Sequence, residues 1–207
     1  MSFVFTDDPS CGGCDCIIWT DTIRVQVERK SFHGFRKEVV MVLKKLREFL
    51  DGQGVKYTAL IHSQAFTAEE VAAVAHIPGK EIAKTVIVKI DGKPVMVVLP
   101  ASDMVDMKLL KKAAGGNHLE LADEESFMTL FPECEVGAMP PFGNLYGMNV
   151  YAAENLAEDE QIAFNAGSHR ELVQMAYHDF VRLVQPQVMK ISIRKKTREE
   201  EGWKLDT

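Results

Sequence analysis

From residue 41 onward the apolar positions fall into blocks of helical and strand period. Val42, Leu43, Leu46, Phe49 and Leu50 recur at the spacing of one helix face, and Gly52 and Gly54 end that run. Val55 to His62 reads as a first strand. Thr67-Ala68-Glu69-Glu70 has the spacing of a capping box, in which the threonine hydroxyl and the third-position glutamate satisfy free amides reciprocally. It predicts a short helix through Ala75, stopped by Pro78-Gly79. Ile82–Ile90 and Pro94–Leu99 predict two strands joined by a tight turn at Asp91-Gly92. Met107 to Ala114 is helical in pattern, with Gly115-Gly116 as its stop. A short strand, His118–Leu121, and a helix, Asp123–Phe131, follow. A loop rich in glycine and proline then runs from Val136 to Gly147. Asn149–Ala152 and Gln161–Asn165 read as strands, and Ser168 to about Val184 as a last helix. Short strands interspersed with helices, without internal repeats, predict an α+β fold.

The first forty residues differ from this body. They hold three of the four cysteines and show no sustained period, although Ile17, Ile18, Trp19, Ile23, Val25 and Val27 suit a short strand or hairpin. Met41 reads like a natural start. The expected division is a poorly ordered appendage over 1–40, one domain over 41–186 and a charged tail over 187–207.

Composition narrows the function. At 207 residues, 46% hydrophobic and 26% charged, the chain has the balance of a globular protein able to bury a core. A net charge of −6 argues against bulk electrostatic coating of nucleic acid and against DNA binding, while leaving room for a local basic pocket. No apolar run approaches the ~20 residues of a membrane span, and the N-terminus lacks a basic-then-apolar leader, so the cytoplasm is expected and a membrane is not. Cys11, Cys14 and Cys16 have zinc-like spacing, but a closed site needs about four ligands; His33 stands alone and Cys134 lies far away. His62, His76, His118 and His178 have no mutual metal spacing, so no metal is expected. Asp103, Asp106, Asp123 and Glu124 fall at predicted helix ends, where caps and solvated charges are the ordinary account. Nucleophile-elbow, phosphate-loop and dinucleotide motifs do not occur, and no cofactor is expected.

Three features depart from this ordinary pattern. Lys84 shares a strand face with Ile82, Val86, Val88 and Ile90, so it either snorkels from a frayed strand start or projects into a cleft to hold an anionic or carbonyl oxygen. Gly137-Ala138-Met139-Pro140-Pro141-Phe142-Gly143 fixes an unusual backbone path, either a rigid connection or a loop whose amides face a ligand. Ser168 and Glu171 have capping-box spacing, which would put His169 at the first position of the last helix. There the dipole disfavours an imidazolium; a surface role is the alternative.

Lys84-Thr85, Asp91-Gly92, Val97-Val98-Leu99-Pro100-Ala101, the Gly137–Gly143 loop and Gly167-Ser168-His169 occur in an order that resembles the YbaK / prolyl-tRNA synthetase-associated editing family, over about Met41 to Val184. The resemblance implies a mixed, partly barrel-like sheet with surrounding helices. It also implies a free-standing, metal-free hydrolase of the ester between a wrong amino acid and tRNA. By position, Lys84 corresponds to the family's pocket lysine, Gly137 to the glycine opening the acyl-pocket loop, and His169 to a histidine of the prolyl-tRNA synthetase and alanine-specific branches. Alanyl-tRNA(Pro) is thereby favoured, with cysteinyl or seryl esters as further substrates; Thr85 departs from the asparagine of alanine-specific members. Thr85, Ala138, Met139, Pro140, Phe142, Gly143, Gly167 and Ser168 would line the substrate site, and Lys80, Lys108, Lys111, Lys112 and Arg170 would form a rim for the tRNA acceptor end. A synthetase is a further expected partner. The rival reading is a non-catalytic module holding a tRNA end or nucleotide in the same pocket.

Overall fold

The computed structural model describes residues 16–20, 23–27 and 44–194. Cys16–Thr20 (β1) and Ile23–Val27 (β2) form an antiparallel hairpin, which matches the apolar spacing there. Cys11 and Cys14 lie outside the described residues. The helix Lys44–Gly52 (α1) buries Leu46 and Leu50 and leads into the strand Tyr57–Ile61 (β3). Ala68–Ala75 (α2) opens on the expected capping box: Thr67 Oγ1 accepts from the Glu70 amide at 3.1 Å, and the Glu70 carboxylate accepts from the Thr67 amide at 3.1 Å. The helix ends in a left-handed turn at His76, before Pro78.

Ala83–Ile90 (β4) and Lys93–Pro100 (β5) make the expected hairpin, with Asp91 and Gly92 both at positive φ. Asp103–Val105 (β6) follows, then Met107–Ala114 (α3), which the Asp106 carboxylate caps. Next come Leu119–Leu121 (β7), Glu124–Leu130 (α4), Val150–Ala153 (β8) and Gln161–Asn165 (β9).

The expected helix from Ser168 is corrected. Glu171–Ala176 is a strand (β10), and only Tyr177–Val184 is helical (α5). The cause is burial on both faces: Leu172 packs into the cluster beneath α2 while Val173 and Met175 enter the main core, so this central strand carries no clean alternation. Gln187–Met189 (β11) and Ser192–Arg194 (β12) are strands within the stretch expected to be tail.

Strand order is β1-β2-β3-β10-β9 in one five-stranded sheet and β11-β8-β5-β4-β7 in the other, with β12-β6 as a separate ribbon. The main core joins both sheets through Ala59, Phe164 and Val173 on one side and Ile87, Met96 and Val98 on the other. Phe142 sits fully buried within it, its ring 5.6 Å from that of Phe164 and 6.0 Å from that of Phe180. A second cluster, including Val88, Val97, Leu99 and Leu110, seats α3 on the opposite face of the second sheet. One parallel bridge, Ile82 to Ala163, links the sheets among the described residues. The architecture is therefore partly barrel-like and not closed. Among the described residues no helix is long and apolar enough to cross a membrane.

Candidate active site

The bridge between Ile82 and Ala163 is where the two sheets touch and then part. Continued in parallel register, it would bring Lys84 opposite Asn165; instead a cavity of about 160 Å³ opens, lined by both. Val71, Ile82, Ala83 and Met139 supply its apolar lining, with Thr85, Phe66 and Gly137 completing it. The volume equals roughly five water molecules at liquid density, well below the several hundred Å³ typical of drug-sized sites.

Lys84 stands at the start of β4, past which Val86, Val88 and Ile90 pack against the α3 cluster. Its ammonium donates to the Ala101 carbonyl at 3.1 Å and to the Asp103 carbonyl. Asp103 is itself anchored. Its buried carboxylate accepts from Ser102 Oγ at 3.0 Å, Ser192 Oγ at 2.8 Å and the Asn155 amide. The expectation that Asp103 is a helix-end charge is corrected: it is an interior acceptor that fastens β6 and β12 beside the lysine. Asp106 and Asp123 do cap α3 and α4.

Gly137 adopts φ +86°, a left-handed conformation that disfavours a side chain. A Cβ there would lie 3.8 Å from His169 Cε1, so the loop runs directly beside the imidazole. Three backbone hydrogen bonds of 2.9 Å, Ala138 to Glu135, Gly167 to Ala138 and Glu135 to Gly167, knit this loop to the β9–β10 connection. Among the described residues the amides of Gly137 and Met139 donate to no other backbone carbonyl.

His169 is not at a helix start, which corrects the expected dipole argument. It lies between β9 and β10, 7% exposed, with its amide donating to the Glu135 carboxylate at 2.7 Å. Ring Nε2 is 2.9 Å from the Val136 carbonyl; a carbonyl only accepts, so Nε2 carries the proton. Nδ1 is buried with no hydrogen-bond partner. The Phe66 ring, 64% exposed, tilts over the imidazole at 5.0 Å between centroids.

Of the expected substrate-site residues, Thr85 and Met139 line the cavity together with Lys84 and Gly137, and His169 stands behind Gly137. Gly167 (φ +102°) and Ser168 belong to the connection knitted to that loop. Ala138, Pro140, Phe142 and Gly143 are buried and do not line it. At Gly143 a Cβ would lie 2.7 Å from Val150 Cγ2, so this glycine serves packing. Lys80 is tied to Asp159 at 2.5 Å, and that bond raises its pKa. Lys108, Lys111 and Lys112 are exposed on α3. Lys111 acts electrostatically on Asp91 at the hairpin turn, roughly 20 Å along β4 from Lys84. Arg170 is exposed next to His169.

Phe66 and Asn165 line the cavity although neither is among the expected site residues. A lone aromatic before a cap and an asparagine at a strand end carry no periodic signal. The one available hint was that both flank motifs already singled out, Thr67-Ala68-Glu69-Glu70 and Gly167-Ser168-His169.

The profile of a family described as aminoacyl-tRNA editing domain matches residues 62–183. The multifunctional Ser/Thr-tRNA deacylase ProXp-y of Escherichia coli (strain K12) is 27% identical over 150 residues, spanning 70% of this chain and 89% of that protein. Its counterpart in Escherichia coli O157:H7 matches to the same extent, 27% over 150 residues. Among solved structures, a hypothetical protein superposes with a TM-score of 0.67 at 23% identity, covering 72% of this chain and 100% of its own. A candidate trans-editing enzyme for prolyl tRNA synthetase superposes with a TM-score of 0.63 at 18% identity, covering 79% and 100%. At such identities the structural likeness establishes the fold.

Proposed function

The chain belongs to the aminoacyl-tRNA editing domain family, and from that premise we propose that it acts in trans in the cytoplasm, hydrolysing the ester between tRNA and a small, wrongly attached amino acid. The observation that carries this reading is that Lys84, pinned through its ammonium, and Gly137, left-handed in its backbone, line one small cavity, with the buried His169 imidazole directly behind Gly137. An aminoacyl ester is already activated, so the site needs to place water, oppose charge on the developing oxyanion and exclude wrong acyl groups. Water adds to the acyl carbon, the bond to the ribose oxygen breaks, and that oxygen takes up a proton, releasing amino acid and tRNA.

In this scheme Lys84 and the Gly137 amide face the oxyanion. His169, with Nε2 donating to Val136, offers Nδ1 as an acceptor toward the ribose or the amino acid. Arg170, beside His169, together with Lys80 and the exposed Lys108, Lys111 and Lys112, would meet acceptor-stem phosphates. A cavity of about 160 Å³ favours alanyl, seryl or cysteinyl groups over larger ones. His169 and the likeness to a candidate trans-editing enzyme for prolyl tRNA synthetase favour tRNA(Pro), with that synthetase as partner.

The test is a deacylation panel of alanyl-, seryl-, cysteinyl- and prolyl-tRNA(Pro). We expect hydrolysis of the small esters, sparing of the prolyl ester, and a fall of about 10²–10³-fold in kcat for Lys84→Ala with its circular dichroism unchanged. Binding of tRNA without ester cleavage by the wild type would select a non-catalytic module instead.

A further inference from the structure

Asn165 lines the cavity next to Lys84 with hydrogen-bonding capacity left unused. It closes β9 at the position that would face Lys84 had the seam between the sheets continued. Its amide oxygen is buried and has no hydrogen-bond partner. A buried polar atom without a partner is costly, and an acceptor facing a small cavity is met economically by a donor on the ligand.

The lining restricts which donor. It contains a lysine and no carboxylate, so a second cation inside so small a space is disfavoured. The substrate's ammonium is better placed at the mouth, with a neutral donor inside. A hydroxyl fits, and because it both donates and accepts, it can satisfy either end of the amide. We propose that Asn165 reads the side-chain hydroxyl of the acyl group and makes this site prefer seryl to alanyl esters.

The proposal rests on the deacylase reading and deepens it. Against an alanyl group the same site must bury its amide unpaired, which is how a polar contact discriminates more sharply than a missing methylene.

The experiment measures kcat/KM of the full chain on seryl- and alanyl-tRNA(Pro), for the wild type, Asn165→Leu and Asn165→Ala. Leucine keeps the approximate shape and removes the polar groups, whereas alanine also vacates space. The quantity read is the seryl-to-alanyl ratio, which is internal to each protein, so a smaller folded fraction cancels. We expect the wild type to favour seryl over alanyl and the ratio to fall about tenfold in both variants. A wild-type preference for alanyl, or a ratio unchanged in both variants, overturns the assignment of Asn165. Failure of the wild type to hydrolyse either ester overturns the deacylase reading itself.

Discussion

Lys84 is held by residues that do not line the cavity, and this support can be broken separately. Its ammonium bonds to the carbonyl of Asp103, whose own carboxylate is fixed by Ser102, Asn155 and Ser192. Asp103→Ala removes three hydrogen bonds to a charged acceptor, each worth about 1.5–3 kcal/mol. Losing a buried carboxylate returns part of that through desolvation no longer suffered. The net loss is about 3 kcal/mol, which for a domain of this size lowers Tm by roughly 6–12 °C. Ser192→Ala removes one of the three and should lower Tm by roughly 3–6 °C. The second consequence is kinetic. With β6 loosened from β12, the lysine loses its fixed position, and misplacement on the ångström scale costs up to about a hundredfold in rate. The assay pairs thermal melts with deacylation measured well below the melt and normalised to folded protein. Asp103→Ala should then lose ten- to a hundredfold in kcat with a smaller change in KM, and Ser192→Ala should fall between it and wild type. A wild-type Tm in Asp103→Ala would refute the anchoring argument. A lowered Tm with unchanged kcat per folded molecule would show that the lysine is positioned by something else.

Gly143→Ala separates packing from substrate binding: a Cβ 2.7 Å from Val150 Cγ2 overpacks the core and should cost about 1–3 kcal/mol. KM per folded molecule should stay at its wild-type value, and a raised KM without a lowered Tm would return Gly143 to the substrate site. The Asp123 carboxyl is held below its usual range, first by the Ser126 amide at 2.7 Å and then by Lys89. Because its folded pKa lies below the unfolded value of about 3.9, its contribution is complete above that pH and is lost as pH falls through the folded pKa. Asp123→Asn should therefore lower Tm at pH 7 and flatten the acid limb below pH ~4; curves that stay parallel would sink the cap assignment.

Elements defined by short-range chemistry were legible in the sequence. The α2 capping box, the Asp91-Gly92 turn, the Asp106 cap and Gly115 at the end of α3 depend on residues within four positions of one another. What failed was decided at long range. β10 is a strand because β3 and β9 flank it, and its two apolar faces answer to two different clusters. β6, β11 and β12 are three residues each, too short to show a period, and exist through partners distant in the chain.

The site shows the same division. Lys84 and Gly137 were anomalous where they stood, a cation in an aliphatic row and a glycine opening a proline-rich loop, and both line the cavity. His169 was singled out partly on a premise that does not hold: it opens no helix, since a strand follows it, and its tautomer is set by the Val136 carbonyl, 33 residues away in sequence. Asn165 opens the segment that holds His169, but nothing in its own residue type marked it as part of the site. Its meaning comes from a register between β4 and β9 that lasts for one bridge and then breaks, leaving Asn165 and Lys84 on either side of a gap. A pocket formed where two sheets part has walls that belong to different sheets, so spacing along the chain cannot encode it. Substrate discrimination at such a seam is therefore expected to sit in residues like Asn165, which look unremarkable in sequence and are left unsatisfied in the fold.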